Sequence, residues 1–183
     1  MVEVRSDEME LRAGNLHIGN PRPEEAEELI KFKDRVHKQT KYLRRRPEEL
    51  ELSVETEKEL IENYNQSPDK IFVVARYDDK IVGYLIFRTS DLKRYGHQGE
   101  LRMSVDKDYW NSGIGSSLVK FLIDWGENNG LKRIELLVGE QNERAINLYR
   151  KFGFREEGRL KARRRLVDND EYEDELIMAY IYR

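Results

Sequence analysis

The segment at residues 105–118, VDKDYWNSGIGSSL, stands between an alternating apolar run and a longer amphipathic one. This order predicts a strand, a short polar turn and a helix that opens with Gly113 and Gly115. The first amides of a helix have no partner within the helix, and the helix dipole places partial positive charge on them. Glycine allows an anion to approach this backbone closely. The segment therefore predicts a site for a phosphate-bearing ligand, although a plain glycine-containing turn explains the same pattern.

Strands and a helix are predicted on both sides of this turn. Residues 99–105 alternate, with the odd-numbered apolar side chains from Leu101 on one face, and residues 134–138 are uniformly apolar. Both segments are therefore expected to be strands. Residues 113–128 carry an apolar stripe at helical spacing, and Gly130 is expected to end that helix in a left-handed conformation. Two strands joined in this way should be parallel, with a right-handed crossover.

The remaining segments predict further helices and antiparallel strands. The further helices are expected at residues 23–40, 47–64 and 142–151. The further strands are expected at residues 71–77, 81–90, 155–166 and 172–182, with one more before the first helix and a VDND turn at residues 167–170. The predicted fold class is α/β (α+β), with a mixed, mostly antiparallel central sheet of about seven strands and helices on both faces. We expect one domain over residues 1–183, with a core at about 14–182 and a flexible or irregular segment at 1–13.

Composition limits the classes of function. The 183 residues carry a net charge of −3, which argues against general nucleic-acid binding. The chain has no cysteine, which excludes disulfides, thiolate metal sites and a cysteine nucleophile, and three scattered histidines give little support for a metal site. No apolar run approaches the ~20 residues that a membrane-spanning helix needs, and the polar N-terminal residues do not resemble a signal peptide. We therefore expect a cytoplasmic protein with no nucleic-acid, membrane or metal partner.

Residues 105–154 resemble the GNAT superfamily of N-acetyltransferases. In that family a strand ending in Val leads into Arg/Gln-x-x-Gly-x-Gly/Ala, and Asn-x-x-Ala-x-x-Leu-Tyr-x-x-x-Gly-Phe follows the next strand. The first motif is present as Gly113-Ile114-Gly115, but Trp110 replaces the Arg or Gln and is expected to pack beside the cofactor or the core. The second motif is present as Asn142, Ala145, Leu148, Tyr149, Gly153 and Phe154. The order of elements over roughly residues 14–182 is also similar to the acyl-CoA N-acyltransferase fold of this family.

The resemblance implies a reaction and its substrates. The donor would be acetyl-CoA, and a primary amine would attack it directly in a ternary complex without a metal. The absence of cysteine agrees, because no acyl-enzyme nucleophile is obvious. The tail at residues 158–181 is similar to the subgroup that acetylates protein N-termini, amino acids or related small amines. The acceptor is therefore expected to be a small-molecule or peptide amine, and the sequence leaves homodimerisation open. Alternatives are a CoA-binding regulatory or interaction module and a nucleotide-binding domain.

The resemblance also implies which residues hold acetyl-CoA. The amides of residues 113–116 would bind the pyrophosphate, and the strand near Met103 and Val105 would pair with the pantetheine arm. Asn142 would contact the same arm, although its position equally predicts a helix N-cap. The complete set of predicted cofactor-binding residues is Met103, Ser104, Val105, Asn111, Ser112, Gly113, Ile114, Gly115, Ser116, Asn142 and Tyr149.

Two residues are candidates for proton transfer. Glu100 would deprotonate the amine, directly or through a water, and the alternative is a surface glutamate. Tyr149 matches the family tyrosine that protonates the leaving thiolate, and the alternative is an aromatic side chain of the core. His97 is a weaker alternative base. Thr40 and Tyr42, together with Glu100, are the predicted substrate contacts, because the connector between the first two helices overhangs the acceptor site in this family.

Overall fold

The computed structural model describes residues 7–11, 14–50, 53–166 and 170–183. The strands are β1 (Asp7–Leu11), β2 (Gly14–Gly19), β3 (Lys70–Tyr77), β4 (Lys80–Thr89), β5 (Gln98–Val105), β6 (Arg133–Gly139), β7 (Arg155–Leu166) and β8 (Glu171–Ile181). The helices are α1 (Ala26–Gln39), α2 (Val54–Asn65), α3 (Ile114–Asn128) and α4 (Glu143–Lys151). The chain divides into two compact units, Met1–Arg88 with Arg102–Phe121, and Thr89–Leu101 with Leu122–Arg183.

The first unit is built on antiparallel pairing of β1 with β2, β2 with β3, and β3 with β4. Every residue from Ile71 to Ala75 is buried, so both faces of β3 are covered. Helices α1 and α2 pack against this sheet. Leu29, Phe32 and Val36 recur every three or four residues, which places them on one buried face of α1. The hydrophobic periodicity of the sequence therefore sets which side of the helix faces the core.

The second unit contains one parallel pairing and two antiparallel pairings. The start of β5 pairs with β6 in parallel, from Gln98–Glu100 to Arg133–Glu135. Strand β6 then pairs with β8 through Gly139, and β8 pairs with β7, both antiparallel. Gly130 has a φ of 71°, the left-handed conformation predicted for the residue that ends α3.

The predicted fold class is confirmed, and the bounds of most predicted elements agree within one to three residues. One exception is the second helix, which begins at Val54 because Ser53 caps it by accepting a hydrogen bond from the Thr56 amide. Residues Pro47–Glu49 form only a 3-10 turn. Residues 167–169 of the predicted VDND turn lie outside the described residues.

A strand lies where the sequence predicted a flexible or irregular segment at residues 1–13. Strand β1 pairs with β2 in a register from Asp7 with Ile18 to Leu11 with Gly14. The described residues therefore contain eight strands instead of about seven. Backbone pairing with an existing strand explains this difference, because ladder hydrogen bonds do not require a strong side-chain pattern. The single-domain organisation stays a prediction.

Candidate active site

The predicted phosphate turn lies in the first unit, between β5 and α3. Asn111 and Gly113 both have positive φ, 63° and 97°, and the helix begins directly afterwards at Ile114. The Ser117 amide donates to the Gly113 carbonyl at 2.9 Å, so the amides of residues 114–116 precede the helical hydrogen-bond ladder. Ser112 is exposed and Gly113 is half-buried, so the opening of this helix is accessible. Backbone amides at the accessible start of a helix are groups that can bind an anion.

Trp110, which departs from the family motif, connects the turn to strand β5 by a hydrogen bond. Its indole Nε1 donates to the Val105 carbonyl oxygen at 2.8 Å. Within the same turn the Ser112 hydroxyl donates to the Tyr109 carbonyl at 2.5 Å. The Trp110 side chain therefore stabilises the turn by a hydrogen bond to the end of β5, a role that the sequence did not predict.

Asp106 is a residue of this region that sequence reasoning missed. Its side chain is 1% exposed and accepts hydrogen bonds from Arg35 Nε at 2.7 Å and Gln39 Nε2 at 2.9 Å. Burial alone would raise the pKa of the Asp106 carboxyl, but the hydrogen bonds from Gln39 and Arg35 hold that pKa below its ordinary value. The carboxylate is therefore ionised at neutral pH. Its two partners precede it by 71 and 67 residues, so no local pattern reveals it.

The end of β5 differs from the predicted alternation. Leu101 is buried as expected, but Met103 and Val105 are half-buried, and the next buried side chains are Ser104 and Asp106. Ser104 lies three positions after Leu101, so the buried side chains do not follow a strict two-residue repeat there. The predicted alternation of residues 99–105 is therefore not visible in the burial of the side chains beyond Leu101.

A glycine in β4 lets the end of β5 approach closely. A Cβ on Gly83 would lie 3.2 Å from the Ser104 carbonyl oxygen, and the Asp106 amide donates to the Val82 carbonyl at 2.9 Å. The predicted cofactor strand is therefore held against β4 within the first unit.

The other predicted site residues lie in the second unit. Glu100 is half-buried on β5, and the parallel ladder pairs it with Glu135, so the two side chains share a face of the sheet. Arg133 on β6 binds Glu135 at 3.1 Å and Glu157 at 2.5 Å. The parallel ladder ends at Glu100, while β6 continues beside β8. The role of Glu100 as a base stays a prediction.

Asn142 and Tyr149 belong to α4. Asn142 is the N-cap, and its side-chain oxygen accepts from the Ala145 amide at 3.4 Å, so the N-cap interpretation is confirmed. Tyr149 is 8% exposed, and its ring lies 5.5 Å from that of Phe154. Burial raises the pKa of the Tyr149 hydroxyl above its usual range, so the phenol is protonated at neutral pH and can donate a hydrogen bond. Its place among core aromatics and a role as proton donor are compatible.

Comparison with known proteins decides the family, since the profile of the acetyltransferase (GNAT) family matches residues 37–154. The chain belongs to this family. The L-amino acid N-acetyltransferase AaaT of Escherichia coli (strain K12) is 33% identical over 110 residues, which are 60% of this chain and 67% of that protein. The chain spans about a quarter to two thirds of the length of curated relatives that it matches.

Two solved structures show the same fold. The acetyltransferase of the GNAT family from Streptococcus pneumoniae has a TM-score of 0.87 at 29% identity, over 91% of this chain and 99% of that one. The protein yncA from Salmonella typhimurium, solved with its cofactor acetyl-CoA, has a TM-score of 0.78 at 15% identity, over 91% and 93%. The predicted family and enzyme class, an N-acetyltransferase, are confirmed. Among the described residues no helix is long and apolar enough to span a membrane.

Two of the predicted substrate contacts of this GNAT chain, Thr40 and Tyr42, lie directly after α1. Thr40 is the C-cap of the helix, and its hydroxyl accepts from the Tyr42 amide at 3.2 Å. Tyr42 is half-buried, and Leu43 packs against the core of the first unit. The connector is therefore anchored at its start, and the acceptor roles of Thr40 and Tyr42 stay predictions. His97 is exposed, and its carbonyl accepts from the Lys132 amide at 2.8 Å.

A buried carboxylate supports the loop before α4. Glu173 accepts from the Gln141 amide at 3.0 Å and pairs with Arg164. A Cβ on Gly139 would lie 2.9 Å from both carboxylate oxygens, so the glycine is required for this approach. No local pattern distinguishes Glu173 from its acidic neighbours on β8, which are less buried.

Proposed function

We propose that this chain is an acetyl-CoA-dependent N-acetyltransferase that moves an acetyl group to a primary amine by direct attack in a ternary complex. The observation that carries this proposal is the turn before α3, where Gly113 has positive φ and the following amides open the helix. Membership of the acetyltransferase (GNAT) family supports the choice of donor. A solved protein of the same fold was obtained with acetyl-CoA as its cofactor.

The donor would be bound by the backbone more than by side chains. The amides of residues 113–116 would receive the pyrophosphate, with Asn111 and Ser112 shaping the approach. The half-buried strand end at Met103, Ser104 and Val105 would supply backbone groups for the pantetheine arm, as an added strand does. The Trp110 indole donates to one lone pair of the Val105 carbonyl oxygen. A carbonyl oxygen has two lone pairs, so the second could still accept a hydrogen bond from the pantetheine arm. Asn142 would add a contact while it caps α4.

Proton transfer would use two groups. An alkyl ammonium with a pKa of about 10 must lose a proton before it attacks, and Glu100 would accept that proton directly or through a water. The neutral amine nitrogen then bonds to the thioester carbonyl carbon, the carbon–sulfur bond breaks, and the nitrogen releases its second proton to solvent. Tyr149 would donate its proton to the leaving thiolate and then regain a proton from solvent. A phenol is protonated at neutral pH at its ordinary pKa, and burial raises the pKa of Tyr149 further.

The acceptor would be the amine of an amino acid, a small molecule or a peptide. Thr40 and Tyr42 would contact it. The similarity to AaaT, named for L-amino acid N-acetylation, makes free amino acids the first acceptors to test. A catalytically weak CoA-binding module is the second candidate, because a folded turn can bind a ligand without turnover.

Isothermal titration with acetyl-CoA, using ATP and NAD as controls, tests the proposal. We expect micromolar binding of acetyl-CoA alone, followed by thiol release with at least one member of a panel of amino acids and polyamines. Absence of acetyl-CoA binding would overturn the proposal. Binding without turnover on any amine would favour the regulatory module.

A further inference from the structure

Helix α1 is tied to the start of the phosphate turn by side chains that lie outside the turn. The Gln39 amide nitrogen donates to the Asp106 carboxylate at 2.9 Å, and its amide oxygen accepts from the Lys107 backbone amide at 2.9 Å. Both ends of one side chain are therefore used to hold two consecutive residues. Arg35, one helical turn earlier, donates from Nε to the other carboxylate oxygen at 2.7 Å.

These hydrogen bonds are strong because they end on the buried, charged carboxylate of Asp106. Hydrogen bonds between ions are shorter and stronger than neutral ones, and a buried carboxylate that loses a partner bears a large desolvation cost. Asp106 also accepts from the Asp108 amide at 3.2 Å, and its carbonyl accepts from the Tyr109 amide at 3.0 Å. One carboxylate therefore joins α1 to the 3-10 turn at Lys107–Tyr109 that leads to Gly113.

The same turn is held from β3 as well. The Tyr109 ring lies 5.7 Å from the ring of Tyr77, and Lys80 Nζ lies 5.6 Å from the centre of the Tyr109 ring. The turn is thus fixed to the sheet on one side and to α1 on the other. Removing the contact with α1 leaves the aromatic contact in place, so the chain can fold while the turn gains freedom.

We propose that Gln39 and Arg35 are positioning residues for donor binding, which act through Asp106 to hold the amides of residues 113–116 in their binding geometry. The inference rests on the proposed function, because it concerns the affinity of the site assigned to acetyl-CoA. Preorganised donors bind an anion without an ordering cost at the moment of binding. A turn released from α1 bears that cost, and the affinity for the donor falls.

The test measures the Kd for acetyl-CoA by isothermal titration, well below the melting temperature of each variant. Gln39→Ala removes two hydrogen bonds and should raise Kd about tenfold. Gln39→Glu should raise it at least as much, because two carboxylates then face each other. Arg35→Ala is a milder second variant, since this side chain is partly exposed. Lys38→Ala is the matched control, because Lys38 pairs with Asp34 on the exposed side of the same helix. Its Kd should stay within about twofold of the wild type.

A double variant separates positioning from general damage. Gln39→Glu combined with Asp106→Asn exchanges the amide and the carboxylate, which restores the bond between the two side chains and the acceptor for the Lys107 amide. The Asp108 amide loses its acceptor in this exchange, so we expect partial recovery, with a Kd below that of Gln39→Glu.

The outcomes are distinguishable. A raised Kd at full binding stoichiometry, with recovery in the double variant, supports the positioning role. A lowered Tm with unchanged Kd in every variant shows that the hydrogen bonds from Arg35 and Gln39 only stabilise the fold. This result overturns the inference, while the proposed function stands. A wild-type chain that does not bind acetyl-CoA overturns both.

Discussion

Two Lys–Glu ion pairs involve helix α1, one buried and one exposed. Lys33 Nζ lies 2.7 and 2.6 Å from the two oxygens of Glu57 on α2, and the side chains are 12% and 7% exposed. Lys31 lies 2.7 Å from Glu27 on the same helix, and those side chains are 69% and 68% exposed. Glu57→Gln and Glu27→Gln therefore make the same chemical change, the first in a buried pair between two helices and the second in an exposed pair within one helix.

The expected costs differ by about an order of magnitude. An exposed pair four residues apart on a helix contributes about 0.3–0.5 kcal/mol. Removing one partner of a buried pair costs about 3–5 kcal/mol, because the remaining charge loses its compensation. The Lys33 ammonium lies 5.7 Å from the Phe72 ring and 5.9 Å from the Tyr84 ring, which offsets part of this cost. We therefore expect about 3 kcal/mol for Glu57→Gln, at the lower end of that range.

Tyr84 cannot replace the lost carboxylate. Burial raises the pKa of Tyr84 to about 12, with a further contribution from the Glu57 charge, so the phenol is neutral at pH 7. No new anion then forms beside Lys33 when Glu57 becomes an amide.

Urea denaturation followed by circular dichroism measures both variants. With a slope of about 2–3 kcal/mol per molar urea, the midpoint should fall by about 1–1.5 M for Glu57→Gln and by less than about 0.3 M for Glu27→Gln. The double variant Lys33→Met with Glu57→Leu should recover most of the stability, because an apolar pair carries no desolvation cost. Equal shifts for the two single variants would refute the argument that burial decides the cost.

Three further outcomes follow from the contacts described above. Tyr149→Phe should lower kcat at least about a hundredfold with little change in the KM for acetyl-CoA, and an unchanged kcat at every pH would contradict its role as proton donor. Burial opposes ionisation of Glu25, but the hydrogen bond from Arg76 lowers its pKa below the ordinary value. Since this folded-state pKa is below the unfolded one, the pair contributes stability above about pH 4.3 and loses it as pH falls through the lowered pKa. Urea midpoints of Glu25→Gln should therefore depend less on pH below 5 than those of the wild type, and parallel curves would argue against this linkage. Gly126→Ala should lower Tm, because the Tyr182 side chain occupies the position of the new Cβ and its Cζ would lie 2.9 Å away. An increase in Tm, as helix propensity alone predicts, would show that the tyrosine moves freely.

Most local features of the fold could be predicted because they depend on neighbouring residues. The apolar stripe of α3, the uniform apolar run of β6 and the left-handed Gly130 follow from helical period, burial and turn preference. The N-cap at Asn142 belongs to the same class, since a cap is read from the residues directly around it. The start of α2 was misplaced because Pro47 opens only a short turn, while Ser53 is the true cap.

The sequence by itself determined the order of elements from β2 onward, the glycine turn and the motif that marks the family, since each depends on adjacent residues. Tertiary structure decided which charged side chains matter. Asp106 and Glu57 look like many other acidic residues of a chain that is 38% charged, and only folding buries them against partners far away in sequence. Burial makes these carboxylates costly to leave unpaired. The contribution of a charged side chain to the free energy of unfolding therefore depends on contacts that no local pattern encodes.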